Sequence, residues 1–529
     1  MERVILRDHT HIPPFAESAR ELRILNKPLW LLQRDILKTY CKGNTEIDSI
    51  DDLARQFSSD VGELLVCRDN IYFNDDLIAA FLSAARLAGR ACQIAFKATS
   101  AAGRGDPTIE RHALQLSTGL PRHNNVTYLH QGQTRQGDVY LGDLYYFPNG
   151  PSDDVMPVVI ETLSHEMGYY HIPSYMASQG DLTYQIPLRP FLPIESWVHV
   201  FMANVLMGVF TMAAAQDVKM GKARLKQILR WSGEDWRIFP AKLLFSTRSI
   251  LMRLNPMKEM WRNHFLASPA LVRVGKNCSI DPSATIHGPT IIGDNVYIGP
   301  GVVIANSIIG NNVNVMQGSQ VMLSVVSDRC FLPFNAGLFM TTLMENTMVA
   351  QNSTLQLTVV GRNTFIGANN CFTDFNLQNE PIKVIHRGEP TEVNLPVLGS
   401  AVGHNVKIGS GFVIYPGRMI ESNAVIIFDN EQSLIRKTVP GHDLNDVDET
   451  TGEPQRLIYH WPNVFHDPAS PTPPPPAPRP PEATEPPHPT GNGNGGTPLR
   501  NESASPASLL LDHERPTVGV SASVRRSER

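Results

Sequence analysis

The chain has few of the features that would place it outside the cell or on nucleic acid. Only 6 of its 529 residues are cysteine, and no two of them have the spacing of metal ligands. Charged residues make up 18% and the formal net charge is −5, which is not the basic balance of a nucleic-acid-binding protein. The N-terminus lacks the apolar core of a signal peptide. We therefore expect a protein of the reducing cytoplasm that binds no nucleic acid.

Long apolar runs are also scarce. The stretch from Trp197 to Ala215 is the one that invites a membrane interpretation, yet it contains His199 and Asn204. A span needs about 20 predominantly apolar residues. The sequence therefore predicts a buried amphipathic helix here and no transmembrane segment.

An aliphatic side chain recurs at every sixth position over the second half of the chain, and glycine often follows it. A period of six fits neither a helix nor an alternating strand, but it fits a parallel β-helix that turns a corner every six residues. Gly, Asn and Asp tolerate the backbone angles of such corners. The positions in register form four runs: Val274, Ile280, Ile286, Ile292, Ile298, Ile304, then Ile309, Val315, Val321, then Val360, Ile366, Phe372, and last Val402, Ile408, Ile414, Ile420, Ile426.

This pattern resembles the hexapeptide repeat of the left-handed β-helix family over roughly residues 270–430. Most members of that family are acyltransferases, although some are carbonic anhydrases or structural domains. The coils lack the three histidines that a carbonic anhydrase would need for zinc. The resemblance implies a homotrimer with active sites in clefts between neighbouring β-helices.

The first 200 residues alternate strand-like and helical runs, as in an α/β domain. The segments 25–40, 64–69 and 194–204 resemble, in this order, the lysine-proline-leucine step, the buried strand ending in an aspartate, and the tryptophan-containing helix of sugar nucleotidyltransferases. That resemblance implies a possible Mg²⁺ ligand at Asp69. A first strand is predicted at Val4 to Leu6, and helices over 31–40 and 75–87.

The segment after the first strand departs from that family. A nucleotidyltransferase needs a Gly-rich loop there, because its backbone must approach a triphosphate closely. Residues 7–14 contain no glycine and end in two prolines. We therefore expect a degenerate nucleotidyltransferase-like domain. His165, Glu166 and His171 have the spacing H-E-x4-H, which does not place both imidazoles on one helix face.

Composition divides the chain into five parts. We predict a nucleotidyltransferase-like α/β domain over 1–205, a basic helical connector over 206–268, a left-handed β-helix over 269–436, an extension over 437–464 and a disordered Pro/Gly/Ser-rich tail over 465–529. Residues 217–265 carry 11 Lys or Arg against 4 Asp or Glu, with Trp231, Trp236 and Trp261. Packing against the β-helix and weak contact with an anionic membrane surface are both open for this segment.

Polar candidates concentrate where the hexapeptide register breaks, between Phe372 and Leu398. A loop extruded there is expected to reach a neighbouring subunit. The loop and the coils around it resemble the acetyltransferase half of bifunctional glucosamine-1-phosphate acetyltransferase/uridylyltransferases. That resemblance implies acetyl-CoA as cofactor. The positions that it implies are Asp374 and Lys383 for the substrate and Ser410 for acetyl-CoA. Asn376 and Arg387, in the same segment, are further candidates for binding the substrate.

The family's catalytic histidine has no counterpart, because no histidine occurs between His287 and His386. Acyl transfer needs a base to remove a proton from the attacking group. The candidates are His386 in the loop, which we predict as the base, and His404 at a coil corner. The Met- and Phe-rich coils over 328–356 predict an apolar trimer interface or an apolar acceptor pocket.

Three functions remain open on the sequence. The first is acetyl-CoA-dependent transfer to a sugar, sugar phosphate or nucleotide sugar. The second is a non-catalytic trimeric scaffold or regulatory sensor, and the third is a divergent sugar-1-phosphate nucleotidyltransferase that uses Mg²⁺.

Overall fold

The computed structural model describes residues 1–57, 62–101, 103–170, 182–212, 271–376, 380–427, 434–439 and 458–460. Residues Met1–Asp467 form one unit, and a second unit, Pro468–Arg529, lies outside the described residues. The predicted disordered tail and nearly all of the predicted basic connector also lie outside them.

The N-terminal domain is built on a sheet of seven strands. Val4 to Leu6 and Leu64 to Cys67 are apolar and buried, as expected of central strands that are covered on both faces. The strand Gln133–Phe147 runs antiparallel to its neighbours, and the other lateral pairs are parallel. In order across the sheet the strands are Arg122–His130, Met156–Val159, Cys92–Lys97, Gln133–Phe147, Leu64–Arg68, Glu2–Leu6 and Gly43–Ile47.

Helices and short strand pairs cover this sheet. Helix Asp75–Ala88 begins at Asn74, whose side chain accepts a hydrogen bond from Leu77 N, and ends at Gly89 with φ +64°. The other helical segments are Ala19–Glu21, Leu29–Leu37, Ile50–Asp52, Leu53–Gln56, Ile109–Ala113, Trp197–Phe201 and Met202–Val209. The short pairs are His11–Ile12 with Glu17–Ser18, Arg23–Ile24 with Lys27–Pro28, Ile71–Phe73 with Phe191–Pro193, and Ser164–Tyr170 with Leu182–Pro187.

The second half is a parallel β-helix of the left-handed type with three sheets, as the period of six predicts. The first sheet contains Val272–Val274, Thr290–Ile292, Ile308–Ile309, Val325–Val326, Thr342–Leu343, Val359–Val360, Ala401–Val402 and Met419–Ile420. The second contains Ser279–Ile280, Tyr297–Ile298, Asn314–Val315, Phe331–Leu332, Met348–Val349, Phe365–Ile366, Lys407–Ile408, Val425–Ile427 and Ile458–His460. The third contains Thr285–His287, Val303–Ala305, Gln320–Met322, Gly337–Phe339, Thr354–Gln356, Cys371–Phe372, Val413–Ile414 and Leu434–Ile435.

One aliphatic or aromatic side chain per strand points inward and fills the β-helix. Ile298, Val315 and Leu332 are fully buried and stack in successive coils of the second sheet. Asparagines in the left-handed region occupy the corner between the first and second sheets, and their amides bond from coil to coil, as in Asn346 to Asn363 at 3.0 Å and Asn363 to Asn405 at 3.1 Å. Asparagine tolerates this conformation better than most residues.

A helix that we call the closing helix, Trp197–Phe201 continued by Met202–Val209, covers the outer face of the first sheet. Each of its residues is buried, including the polar His199 and Asn204, so the helix is covered on all sides. It extends past residue 205, where the sequence placed the domain boundary. Within the described residues, no helix combines the length and apolarity needed to cross a membrane.

The closing helix also accounts for part of the apolar surface predicted at 328–356. Met340 and Met344 are fully buried in the hydrophobic core that contains the closing helix. Leu338 and Leu343 point into the β-helix. For these residues the predicted trimer interface or acceptor pocket is replaced by contacts within the chain.

Residues 14–26, which we call the docking segment, bind one edge of the β-helix coil by coil. The partners occupy the corner between the first and second sheets in five successive coils. Their contacts are Asn26 Nδ2 to Asp328 Oδ1 at 2.9 Å, Arg23 Nη2 to Glu345 Oε1 at 2.7 Å, Arg362 to Glu17, His404 Nε2 to Glu17 Oε1 at 3.0 Å, and Ser422 Oγ to the Pro14 carbonyl at 2.8 Å.

Candidate functional site

The break in the hexapeptide register forms a β-hairpin, Lys383–His386 paired with Glu389–Glu392. Its turn consists of Arg387 and Gly388, both with positive φ, as in a two-residue type I′ turn. Ile382, Val384 and Leu398 are buried in the core that also contains the closing helix. The hairpin therefore lies on its own N-terminal domain, and the contact with a neighbouring subunit that the sequence predicts stays a prediction.

His386 lies at the tip of this hairpin and is half-buried. Neither ring nitrogen has a hydrogen-bond partner among the described residues. Burial lowers the pKa of His386, the Arg387 cation lowers it further, and Glu195 partly opposes both effects. The imidazole is therefore neutral at pH 7 and available to accept a proton.

Arg387 contacts the N-terminal domain. Its Nη2 donates to Glu195 Oε2 at 3.1 Å and to Thr118 Oγ1 at 2.9 Å. The Glu195 side chain is 9% exposed, against 59% for Arg387. The Arg387 guanidinium is thus paired with Glu195, and this ion pair competes with the predicted contact between Arg387 and a substrate.

Glu195 is held by a turn of the N-terminal domain. Its carboxylate accepts hydrogen bonds from Gly119 N at 2.7 Å, Thr118 N at 3.0 Å and Ser117 Oγ at 3.1 Å. A Cβ at position 119 would lie 3.0 Å from Glu195 Oε1 and 2.9 Å from Pro193, so the absence of a side chain at Gly119 allows this approach. The site therefore has a rigid carboxylate next to the hairpin tip.

His199 fixes the backbone behind Glu195. Its Nδ1 accepts from Glu195 N at 2.9 Å, and its Nε2 donates to the Gln115 carbonyl. Burial lowers the pKa of His199 to about 4, so the ring is neutral and suited to accept at one nitrogen and donate at the other.

The other predicted substrate residues lie at the base of the hairpin. Lys383 is exposed and lies 3.5 Å from Glu392 across the strand pair. Burial raises the pKa of Asp374, and the Gln356 amide, oriented to satisfy its hydrogen bonds, donates to both Asp374 oxygens at 2.8 and 3.0 Å. Asn376 Nδ2 donates to the Glu380 carbonyl at 3.2 Å. Lys383 and His386 are the first and last residues of the same strand, three positions and about 10 Å apart.

Ser410 lies on a different edge of the β-helix. It occupies the corner between the second and third sheets, whereas the hairpin leaves the corner between the third and first. Its hydroxyl accepts from Ala368 N at 3.1 Å. No atom lies within 4 Å of a Cβ built on Gly411, so the backbone of this corner is exposed. One chain alone does not bring Ser410 to His386.

His404, the second candidate base, has a structural role. Its Nδ1 accepts from Arg362 N at 2.9 Å, a position where Asp328 Oδ1 accepts from Asn311 N in an earlier coil. Its Nε2 bonds to Glu17, and the side chain is 8% exposed. Both nitrogens are occupied, so His404 is not free to act as a base.

Asp69 lies at the carboxyl end of strand Leu64–Arg68, beside the end of the first strand. Its Oδ1 accepts from Asp8 N at 2.8 Å, and Arg20 Nη1 lies 3.3 Å from Oδ2. Burial raises the pKa of Asp69, partly opposed by these two contacts. Arg20 therefore places a positive charge beside the Asp69 carboxylate, and the Mg²⁺ ligand role of Asp69 stays a prediction.

Metal clusters are missing from the described ranges. In these parts of the chain, no group of three or more His, Cys, Asp or Glu side chains is arranged to hold a metal ion. His165 and Glu166 lie on the strand Ser164–Tyr170 rather than on a helix, and His171 lies outside the described residues.

Comparison with known proteins adds one family match. Residues 272–306 match the family described as bacterial transferase hexapeptide (six repeats), and no curated protein matches the chain. Among solved structures, the polysialic acid O-acetyltransferase OatWY is 19% identical to this chain. The alignment covers 32% of this chain and 79% of that chain, with a TM-score of 0.17. The family match identifies hexapeptide repeats in the first coils.

Proposed function

We propose that the protein is a hexapeptide-repeat acyltransferase that transfers the acetyl group of acetyl-CoA to an amine or hydroxyl of a sugar, sugar phosphate or nucleotide sugar. The observation that carries the proposal is His386. It is a neutral imidazole without a hydrogen-bond partner in the described chain, and it lies on a hairpin extruded from a β-helix whose first coils match a transferase family.

The reaction assigned to His386 is general-base catalysis. The neutral imidazole accepts the proton of the acceptor N–H or O–H while that atom attacks the thioester carbonyl carbon. The tetrahedral intermediate then collapses, the carbon–sulfur bond breaks, and the imidazolium returns its proton to the CoA sulfur. Acetyl-CoA supplies the acyl group, and the chain supplies the base and the position of the acceptor.

The residues at the hairpin base fit a polar acceptor. Lys383 is exposed and can pair with a phosphate of the acceptor, which would then replace Glu392 as its ion-pair partner. Asp374 and Asn376 are suited to bind sugar hydroxyls. Arg387 is already paired with Glu195, so we assign phosphate binding to Lys383 rather than to Arg387.

A trimer would bring the acetyl-CoA corner of one chain to the hairpin of the next. The outer face of the second sheet carries a row of large apolar side chains suited to such contacts. Tyr297 and Phe365 in this row are 37% and 40% exposed. The row consists of Tyr297, Phe331, Met348 and Phe365, with Asn314 between the first two.

The trimer is tested by light scattering on the full chain. We expect a mass three times 58.6 kDa for the wild type and 58.6 kDa for Phe365→Asp, because the substitution places a charge in the row. Leu87→Asp is the control, since Leu87 is 77% exposed but lies on helix Asp75–Ala88 of the N-terminal domain. A wild-type monomer would contradict the trimer.

The catalytic test measures release of the CoA thiol by the full chain with acetyl-CoA and a panel of amino sugars, sugar phosphates and nucleotide sugars. We expect His386→Gln to lower kcat by about 10²–10⁴ while acetyl-CoA still binds. The half-exposed His287, on the strand Thr285–His287, provides the control variant His287→Gln. Wild-type kcat should rise with pH through a pKa below 6.5, because the base must be neutral. Equal turnover by wild type and His386→Gln would exclude His386 as the base.

A non-catalytic scaffold or regulatory sensor is the second candidate. The observation that favours it is the ion pair of Arg20 with Asp69. This pair occupies the carboxylate that would have to bind the metal ion in an active nucleotidyltransferase-like domain. The same observation argues against the divergent nucleotidyltransferase.

A further inference from the structure

A series of hydrogen bonds connects the hairpin tip to the N-terminal domain. Arg387, next to His386, donates to Glu195 and Thr118, and Glu195 is in turn fixed by the turn at 117–119 and by His199. The separation in sequence is large, 192 residues between Arg387 and Glu195. Such a contact ties the position of the hairpin tip to the N-terminal domain.

We propose that Glu195 is a positioning residue for His386, so that the N-terminal domain completes the acyl-transfer site of its own chain. This inference rests on the proposed function and gives the degenerate domain a role that needs neither nucleotide nor metal. Glu195 acts through Arg387 and does not itself touch the reacting atoms.

The geometry indicates that Glu195 is the rigid side of this contact and that it holds the hairpin tip in place through Arg387. Glu195 accepts hydrogen bonds from four donors of residues 117–119 besides Arg387, and its side chain is 9% exposed. Arg387 is 59% exposed and has the left-handed φ of a tight turn. The next residue, Gly388, has a φ of +84° and no side chain, so its own contacts do not hold the turn in place. Without Glu195, the tip would lose its polar anchor on the domain.

The buried side of the hairpin supplies the second half of the positioning. Val384 is 1% exposed and lies in the core shared with the closing helix. Apolar burial holds the hairpin against the domain but does not set the orientation of its tip, because the hydrophobic effect is non-directional. The hydrogen-bonded ion pair of Arg387 with Glu195 is directional and sets that orientation. The two together restrict His386 to one place, and a misplacement of about 1 Å is enough to cost roughly 10²-fold in rate.

The charges that face His386 make the contact measurable without substrate. They are the Arg387 cation on its own hairpin, the Glu195 carboxylate on the N-terminal domain, and the neutral His199 behind it. Removing the anion lowers the pKa of His386, because Arg387 then acts unopposed. Removing the cation raises it, because Glu195 then acts alone.

The test uses the full chain and follows deuterium exchange at the imidazole C2 of each histidine by mass spectrometry across pH. We expect Glu195→Gln to lower the pKa of His386 and Arg387→Gln to raise it. Both variants should reduce kcat by roughly tenfold to a hundredfold with the KM for acetyl-CoA unchanged. Glu195→Gln keeps an oxygen for the turn at 117–119, so folding is retained. Glu392→Gln, a charge removal on the same hairpin beside Lys383, should leave His386 unchanged.

The outcomes separate the inference from the function on which it rests. Opposite pKa shifts of His386 in the two variants, with Glu392→Gln unchanged, support Glu195 as its positioning residue. An unaltered pKa of His386 in both variants, or unaltered kcat in both, overturns it. Failure of the wild type to transfer an acetyl group to any acceptor overturns the proposed function. The exchange measurement needs no substrate, so it still reports whether the contact exists.

Discussion

His386 and His404 show how one residue type acquires two roles. His404 stands in a corner ladder in which Asp or Asn side chains accept backbone N–H groups, and its Nδ1 takes over that task. His386 is the last strand residue before a tight hairpin turn, and neither of its nitrogens has a hydrogen-bond partner in the described residues. The difference lies in which backbone donors surround each ring, and it decides which ring can move a proton.

At this scale the sequence singled out His386, Lys383 and Arg387, because they lie in the segment that interrupts the hexapeptide register, and the structure places them on one hairpin. Their roles in binding and catalysis stay predictions. Glu195 was not singled out, because its partner lies 192 residues away and nothing local distinguishes it from a residue that precedes a helix. Asp69 was located at the correct strand end, but the sequence could not show that Arg20 would fold onto it.

The docking segment is the element that the sequence indicated least, because its partners are corner residues of distant coils. Three of those partners, Asp328, Glu345 and Arg362, are separated by 17 residues each, so they stack on one edge only once the coils have formed. The alternating apolar residues Ile382 and Val384 would have indicated that the hairpin has a buried face.

The strength of this docking is testable at Arg23 and Glu345. The Glu345 side chain is 10% exposed and receives two hydrogen bonds from Arg23, at 2.8 and 2.7 Å. Arg23→Met leaves the largely buried Glu345 carboxylate with only the more distant Arg362, whose Nε lies 3.5 Å from Oε1, as its ion-pair partner among the described residues. We expect a loss of about 3–5 kcal/mol in the free energy of unfolding and earlier separation of the two halves in thermal denaturation.

The matched control for Arg23→Met is Lys27→Met. Lys27 pairs with Asp35 at 2.6 Å, but its side chain is 47% exposed, so the loss should be at most about 1 kcal/mol. Equal effects of the two substitutions would mean that the docking segment contributes little to stability.

Taken as a whole molecule, the chain uses its N-terminal domain as a support for the β-helix. The closing helix covers the first sheet, the docking segment follows one edge, and Glu195 meets the hairpin at another. The sheet-level architecture could be predicted from the period of six and from the apolar strands Val4 to Leu6 and Leu64 to Cys67. The way in which the two halves meet could not, because it depends on contacts between residues hundreds of positions apart.

The central claim is that this assembly carries out acyl transfer, and the most direct measurement is a calorimetric titration of acetyl-CoA into the full chain. The account predicts saturable binding, with an affinity that His386→Gln leaves unchanged because the base is needed for the chemical step and not for the cofactor. A titration that gives no heat over the millimolar range, from a protein that remains folded, would contradict the claim and leave a scaffold as the function.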